Sequence, residues 1–169
     1  MKLHHNSQKH FDFNDRIYFI STKTKENFPY FNTEIYSKIL INVIWNSQKL
    51  KKFYIYGYII MPNHLHIMIE PMNYSISKIL QSIKLNSSMD INKLIKYNFN
   101  NQYYNVEGGK SIFRLPKRKF AWQLGFHDHL IRSQNDFLNH INYIKNNPIH
   151  HGIKIPNINL FINNPLPIK

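Results

Sequence analysis

Two histidines one residue apart, His64 and His66, are the side chains in this sequence best suited to chemistry. In an extended strand alternate side chains share a face, so the two imidazoles point the same way. Two imidazoles on one side of a rigid strand can hold one metal ion. The alternative is that both are ordinary polar positions on the water-facing side of a half-buried strand. The spacing alone does not decide between these readings.

The residues around the histidines predict a strand at the centre of a sheet. Leu65, Ile67 and Ile69 lie on the opposite face, where they can be buried against helices. The preceding Pro62-Asn63 pair predicts a turn, which makes an antiparallel hairpin with the strand before it. Periodicity and capping residues predict the order strand, helix, strand, strand, helix, strand, helix, with strands over 16–22, 52–60, 64–70 and 126–132 and a last helix from Ser133 to about Asn147.

The first six of these elements match a ferredoxin-like split βαβ arrangement. We therefore predict an α+β fold, an antiparallel sheet with helices on one face and an added C-terminal helix. The first helix, over about 33–49, is expected to bury Ile35, Ile39, Val43 and Leu50, and the second is expected to bury Leu85 among others. The chain is predicted to be a single domain, 1–169, with a loose arm over 1–14 and an irregular tail over 156–169.

The charge of the chain indicates what it binds. There are 22 Lys+Arg against 9 Asp+Glu, a formal net charge of +13. An excess of this size favours a phosphate polymer as partner over an anionic membrane surface. No apolar segment approaches the roughly 18 residues that a membrane span needs, so no membrane association is expected. The chain has no cysteine, which excludes disulfides and thiolate metal sites and fits a reducing cytoplasm.

A basic and aromatic segment over 113–122 is the first candidate surface for nucleic acid. Such a mixture can hold a phosphate backbone and stack a base. A solvated charged turn between buried aromatic residues is an equally good interpretation. The candidate DNA-binding residues are Arg114, Lys117, Arg118, Lys119 and Trp122, together with Arg132 further along the chain.

The last helix carries the remaining candidates. Its apolar stripe is Phe137, Ile141 and Ile144, and Tyr143 lies about 200° from Ile141 around the helix, away from that stripe. Asn147 is four residues further on and shares the face of Tyr143. If the helix packs beside the sheet, Tyr143 could reach the histidines as a nucleophile, and Asn147 could add an oxygen ligand. Nitrogen and neutral oxygen ligands with open positions suit Mg²⁺ or Mn²⁺ at a phosphate.

Three blocks of sequence together resemble the single-tyrosine HUH transposases, with the REP-associated tyrosine transposases as the most similar branch. The blocks are Met61-Pro62-Asn63-His64-Leu65-His66, then Trp122-Gln123 and Gly125-Phe126 leading into Asp128-His129-Leu130-Ile131-Arg132, then Tyr143-Ile144 and Asn147-Pro148-Ile149-His150-His151-Gly152. The resemblance covers about residues 14–155, in the order and spacing of the family.

The resemblance implies a metal-dependent single-strand DNA endonuclease and strand transferase that cleaves at hairpins through a 5′-phosphotyrosine intermediate. It implies that His64, His66 and Asn147 bind Mg²⁺ or Mn²⁺ and that Tyr143 is the nucleophile. His129 occupies a position where relatives also tend to carry histidine, which makes it a second-tier site residue. The implied partner is single-stranded DNA with a hairpin or inverted repeat, the implied state a monomer or homodimer, and the implied location the prokaryotic cytoplasm at the nucleoid.

Two other functions remain open from the sequence. One is a small replication initiator or relaxase-type nickase, which shares the metal and tyrosine chemistry. The other is a non-catalytic hairpin-binding protein derived from a transposase. Because a metal ligand must be a neutral imidazole, we also expect activity to fall as the pH drops below about 6.

Overall fold

The structure is a computed structural model that describes residues 16–101, 118–154 and 159–163, with side chains up to residue 97 in the first range. The strands are β1 Tyr18–Lys23, β2 Phe53–Met61, β3 His64–Pro71, β4 His127–Leu130 and β5 Leu160–Ile162. They form one antiparallel sheet in the order β4-β1-β3-β2-β5. The helices are α1 Glu34–Lys51, α2 Ile76–Asn101 and α3 Gln134–His150, and two 3-10 turns, Lys25–Asn27 and Tyr30–Asn32, lie between β1 and α1.

The order of β1, α1, β2, β3, α2 and β4 confirms the predicted split βαβ arrangement. The β2–β3 hairpin turns at Pro62-Asn63, and β3 lies between β1 and β2. The strand that carries the two histidines is therefore central, with hydrogen-bonded neighbours on both sides. Strands held in this way are among the most rigid parts of a small domain.

The two faces of the sheet carry two separate cores. Leu65, Ile67 and Ile69 of β3 pack with residues of α1 and α2 in the larger core. Met68 belongs to the smaller core, which forms under α3. The predicted stripe Phe137, Ile141 and Ile144 is the buried face of α3. The helices α1 and α2 thus cover one face as predicted, and α3 covers part of the histidine face.

Two helix faces differ from the prediction. In α1, Ile35 is 43% and Leu50 73% exposed, whereas Tyr36, Leu40 and Ile44 are fully buried. These three follow helical spacing as well as the expected set does, and placing Tyr36 inward removes more apolar surface from water. In α2, Leu85 is 58% exposed. Val43 is buried as predicted and Ile39 packs against the core, so in α1 the predicted stripe was wrong at Ile35 and Leu50.

The end of α3 also differs, because the helix continues through Pro148 to His150. A proline removes only one intrahelical hydrogen bond, and near the C-terminus little helix remains to be disrupted. The last carbonyls are satisfied: those of Asn147, Pro148 and Ile149 accept hydrogen bonds from the backbone amides of His151, Ile153 and Gly152. Gly152, with φ of 62°, supplies the left-handed residue that commonly ends a helix.

The tail predicted as irregular over 156–169 contains a short strand. β5 pairs with the middle of β2, with Ile162 opposite Gly57 and Leu160 opposite Ile59. Three residues carry too little periodicity to be recognised as a strand from the sequence. They form one here because the free edge of β2 gives them a pairing partner. The predicted arm over 1–14 lies outside the described residues. Among the helices in the described ranges, none is long and apolar enough to cross a bilayer.

Candidate active site on the histidine face of the sheet

The register of the sheet sets the two histidines beside β1. Ser21 is opposite His66 and Lys23 is opposite His64. The imidazole rings of His64 and His66 lie with centroids 4.7 Å apart and planes at 80°. His66 is 7% exposed, and its ring stacks on Phe19 of β1 with centroids 5.3 Å apart. Both rings therefore lie on one face, as the alternation of the strand predicted.

Each histidine uses its Nδ1 atom for a hydrogen bond within the protein. The Nδ1–H of His64 donates to Oδ1 of Asn63 at 2.7 Å, and the amide nitrogen of Asn63 donates to the carbonyl of Asn27 at 3.2 Å. Nδ1 of His66 lies 2.6 Å from the hydroxyl of Ser21. Partners of this kind fix ring orientation in metal-binding histidines. The arrangement leaves Nε2 of both rings as the candidate ligand atoms.

Burial keeps both imidazoles neutral over a wide pH range. Desolvation, together with the charges of Lys23 and His151, lowers the pKa of His64 from 6.5 to about 4. The same desolvation, with the charges of His64, Lys23 and His151, lowers the pKa of His66 to about 3. The expectation that activity falls below about pH 6 assumed histidines with an ordinary pKa. With the pKa values lowered by burial, we expect the loss at a lower pH, toward pH 4.

Tyr143 lies next to this pair. Its hydroxyl is 3.5 Å from Nε2 of His66, and its ring meets the His66 ring edge-on with centroids 5.2 Å apart. Phe19 contacts the Tyr143 ring from the side, at 5.7 Å between centroids. Tyr143 remains 43% exposed, so its hydroxyl is accessible to a large substrate. The structure thus brings together a strand imidazole and a helix hydroxyl that are 77 residues apart in the chain.

Asn147 is placed differently from the expectation that it would be displayed with Tyr143. Its side chain is 1% exposed, because α3 leans on the sheet over this turn. Its Oδ1 atom has no hydrogen-bond partner among the described residues. A buried carbonyl oxygen without a partner costs about 1–3 kcal/mol, so such atoms are found where a ligand completes them. Its amide oxygen and the imidazole nitrogens of His64 and His66 are donor types that a divalent metal accepts.

His129 lies on the same face of the sheet but in a separate cluster. Its Nε2 is 3.0 Å from Oδ2 of Asp136, and its ring stacks on His140 with centroids 4.7 Å apart. Burial alone would raise the pKa of Asp136, but hydrogen bonds from His129 and the Arg132 amide, with the charges of both histidines, lower it overall. His129, Asp136 and His140 together could hold a metal ion.

The predicted DNA-binding residues have mixed outcomes. Arg118 and Lys119 are exposed, but Arg118 forms an ion pair with Glu26. Arg132 is exposed at the start of α3. The predicted positions Arg114 and Lys117 lie outside the described residues.

Trp122 is a core residue, which contradicts the prediction that it stacks on a base. It is 8% exposed, and its indole N–H donates to the hydroxyl of Ser87 at 3.0 Å. The isolated bridge between Thr24 and Trp122 holds this residue against the end of β1. Phe120 and Trp122, the aromatic residues of the segment that the structure describes, follow the alternative interpretation of buried rings beside a charged turn, and Phe113 lies outside the described residues.

Sequence reasoning missed three residues that shape the site. Ser21 and Phe19 lie on β1. Only the register with β3 reveals that Ser21 contacts Nδ1 of His66 and that Phe19 stacks on the His66 ring. His140 is three positions before Tyr143 on α3, on a face already marked as functional.

Comparison with known proteins identifies the family of the chain. The family model for IS200-like transposases matches residues 13–147, and the chain belongs to this family. A Haemophilus influenzae protein with the provisional name REP-associated tyrosine transposase is 31% identical over 98 residues, 55% of this chain and 48% of the relative. The chain thus spans about half the length of that relative. A second Haemophilus influenzae protein, without an assigned function, is 25% identical over 162 residues, 87% of this chain and 90% of that protein.

Two solved structures share the fold. One is a REP-associated tyrosine transposase bound to a REP hairpin, with a TM-score of 0.64 and 19% identity over 87% of this chain and 74% of that chain. The other, from Deinococcus radiodurans, is provisionally described as a transposase, with a TM-score of 0.51 and 12% identity over 86% of this chain and 97% of that chain. The resemblance stated from the sequence motifs is confirmed at the level of family and fold.

Proposed function

We propose that this protein is a metal-dependent single-strand DNA endonuclease and strand transferase that cuts beside hairpins through a 5′-phosphotyrosine intermediate. The observation that carries the proposal is the distance of 3.5 Å between the Tyr143 hydroxyl and Nε2 of His66. A nucleophile beside a cluster of potential metal ligands is the arrangement that tyrosine-based phosphoryl transfer requires. Membership of a transposase family supports the same reaction class.

In this proposal His64, His66 and Asn147 hold Mg²⁺ or Mn²⁺. Neutral imidazoles are the form that binds metal, and burial favours that form for both histidines. The bound ion would act as a Lewis acid that neutralises charge on the scissile phosphate. Ser21 and Asn63 hold the two rings in orientation, so substitution of either should weaken binding without removing a ligand.

Tyr143 performs the bond exchange. Its Oη gives up its proton and forms a bond to phosphorus while the bond from phosphorus to the 3′ oxygen breaks, and that oxygen takes up a proton and leaves as a free 3′-OH. The DNA 5′-phosphate stays on the tyrosine as a phosphodiester. A second 3′-OH can then attack the same phosphorus and release Tyr143. Since each step exchanges one phosphodiester for another, no external energy source is needed.

The substrate in this proposal is single-stranded DNA that folds into a hairpin, from inverted repeats. The excess of basic residues, +13 overall, supports a nucleic-acid substrate. Arg118, Lys119 and Arg132 are the exposed candidates for phosphate contacts, and Arg114 and Lys117 stay predictions. The fold neighbour that was solved with a REP hairpin supports this choice of substrate. The proposal includes either a monomer or a homodimer as the active state. It also places the protein at the nucleoid.

The test is formation of a covalent protein–DNA adduct. The full chain is incubated with Mn²⁺ and a labelled pool of single-stranded hairpins with randomised flanks, and adducts that survive denaturation are separated and sequenced. Wild type should give an adduct, and Tyr143→Phe should give none. Tyr54→Phe is the matched control, because Tyr54 is an exposed tyrosine on β2 and its loss should not change the yield.

Two outcomes would contradict the proposal. An adduct of equal yield with Tyr143→Phe would show that another residue is the nucleophile. Hairpin binding by wild type with no adduct from any sequence in the pool would identify a non-catalytic hairpin-binding protein instead. His64→Ala should reduce adduct yield by at least 100-fold while leaving hairpin binding intact, since it removes a metal ligand and no basic residue.

A further inference from the structure

A second group of metal-binding side chains lies on the histidine face, outside the His64 and His66 pair. It consists of His129 on β4 and of Asp136 and His140 on the first turns of α3. One ligand atom from each of the three lies within 4.8 Å of the other two. We call this group the β4–α3 cluster. The proposed function uses none of its members as a metal ligand.

The contacts inside the cluster converge on one carboxylate. Nε2 of His129 is 3.1 and 3.0 Å from the two carboxylate oxygens of Asp136. Nδ1 of His140 is 3.1 Å from Oδ1 of the same carboxylate and 2.9 Å from the Asp136 backbone carbonyl. The two imidazole rings are nearly parallel, 4.7 Å apart at 20°. One nitrogen of each ring therefore faces the same carboxylate, that of Asp136.

The donor set indicates which metal suits it. Two imidazole nitrogens and one carboxylate oxygen match the ligands of Zn²⁺, Co²⁺ and Ni²⁺. A neutral imidazole can carry its proton on either ring nitrogen, so both hydrogen-bonding protons can move aside without a change of charge. Partial exposure, 46% for His129 and 23% for each of the other two side chains, leaves open positions for water.

We propose that the β4–α3 cluster is a second metal site that binds Zn²⁺ or a similar divalent ion such as Co²⁺ or Ni²⁺ and cross-links α3 to β4. Its ligands come from two elements that meet across the sheet edge, so a bound ion would join them in the folded state alone. Phe19 lies between the cluster and the Tyr143 region, 4.6 Å from the His140 ring and 5.7 Å from the Tyr143 ring. Fastening the start of α3 would restrict the helix that carries Tyr143. Metal binding by the cluster does not depend on the proposed function. Only the effect on Tyr143 as a nucleophile rests on that function.

The binding test separates the two sites by variants of the full chain. The double variant His64→Ala/His66→Ala removes the first pair of histidines. This protein, prepared without an affinity tag, is titrated with Co²⁺, and binding is measured by visible absorption and by calorimetry. One Co²⁺ should still bind. Adding His129→Gln/His140→Gln should weaken that binding by at least tenfold. His4→Ala/His5→Ala is the matched control for imidazoles elsewhere in the chain and should change nothing.

Equal Co²⁺ affinity with and without His129 and His140 would overturn the site and leave a hydrogen-bonded cluster. If the combined variant does not fold by circular dichroism, His129→Gln alone decides the question, because that residue is the most exposed of the three. Zn²⁺ should also slow hydrogen exchange of the amides in α3 by at least threefold in the His64→Ala/His66→Ala protein. Zn²⁺ binding without this slowing would overturn the fastening role. No step uses DNA cleavage, so failure here and failure of the proposed function give different results.

Discussion

Replacing His66 with glutamine should reduce the dependence of folding stability on pH. In the folded protein burial holds the pKa of His66 at about 3, against an ordinary value of 6.5. Between these two values the unfolded chain takes up a proton that the folded chain does not. The contribution of neutral His66 is therefore complete above about pH 6.5 and is lost as the pH falls toward 3. Glutamine has no proton to take up and removes this contribution.

The size of the effect follows from the separation between the pKa values. Each unit of separation corresponds to about 1.4 kcal/mol. At about pH 5 the unfolded His66 is protonated and the folded one is not, so wild type should have lost about 2 kcal/mol through this residue relative to pH 7.5. His64, with its pKa lowered to about 4, should contribute a similar loss. We expect the His66→Gln protein to lose about 2 kcal/mol less than wild type over the same interval.

The assay is urea unfolding followed by circular dichroism, with a chelator present so that no metal contributes. Free energies of unfolding are compared at about pH 7.5 and pH 5 for wild type, His66→Gln and His127→Gln. His127 is an exposed histidine on β4, so its variant should follow wild type. A difference of about 2 kcal/mol for His66→Gln alone supports the argument. Equal losses for all three proteins would show that His66 is not buried as a neutral imidazole, and the reasoning would fail.

Three further predictions concern the site and its supports. Adduct formation with Mn²⁺ should persist at about pH 5, since His64 and His66 stay neutral there, and an adduct yield that falls with a midpoint near pH 6.5 would refute this. Ser21→Ala should lower Mn²⁺ affinity by about 10–100-fold without changing the fold, measured by titrating Mn²⁺ and following adduct yield, because it removes the Nδ1 partner of His66. Unchanged affinity would show that Ser21 does not orient the ring. Trp122→Phe should leave hairpin affinity unchanged but lower the free energy of unfolding by about 1–3 kcal/mol in urea, because the core loses the hydrogen bond from the indole to Ser87 and the volume of the larger ring. A large loss of hairpin affinity would restore Trp122 as a DNA contact.

The sequence determined the elements of this fold because their signals are local. Alternation along 64–70 marks a strand with two faces, and Ser133 caps α3 by accepting a hydrogen bond from the amide of Asp136. The order of these elements was sufficient to predict the split βαβ sheet. The signals were weaker where two stripes fit one helix equally well, as in α1, and where a strand of three residues depends on an edge formed elsewhere, as in β5.

Only the tertiary structure decided how the site is assembled and tuned. The pairing of β1 with β3 sets Ser21 beside His66, and the packing of α3 brings the Tyr143 hydroxyl to the same imidazole from 77 residues away. Burial then moves the pKa of both histidines by more than two units and places Trp122 in the core. Contact and desolvation depend on what surrounds a side chain in space, and neighbours distant in sequence provide most of those surroundings.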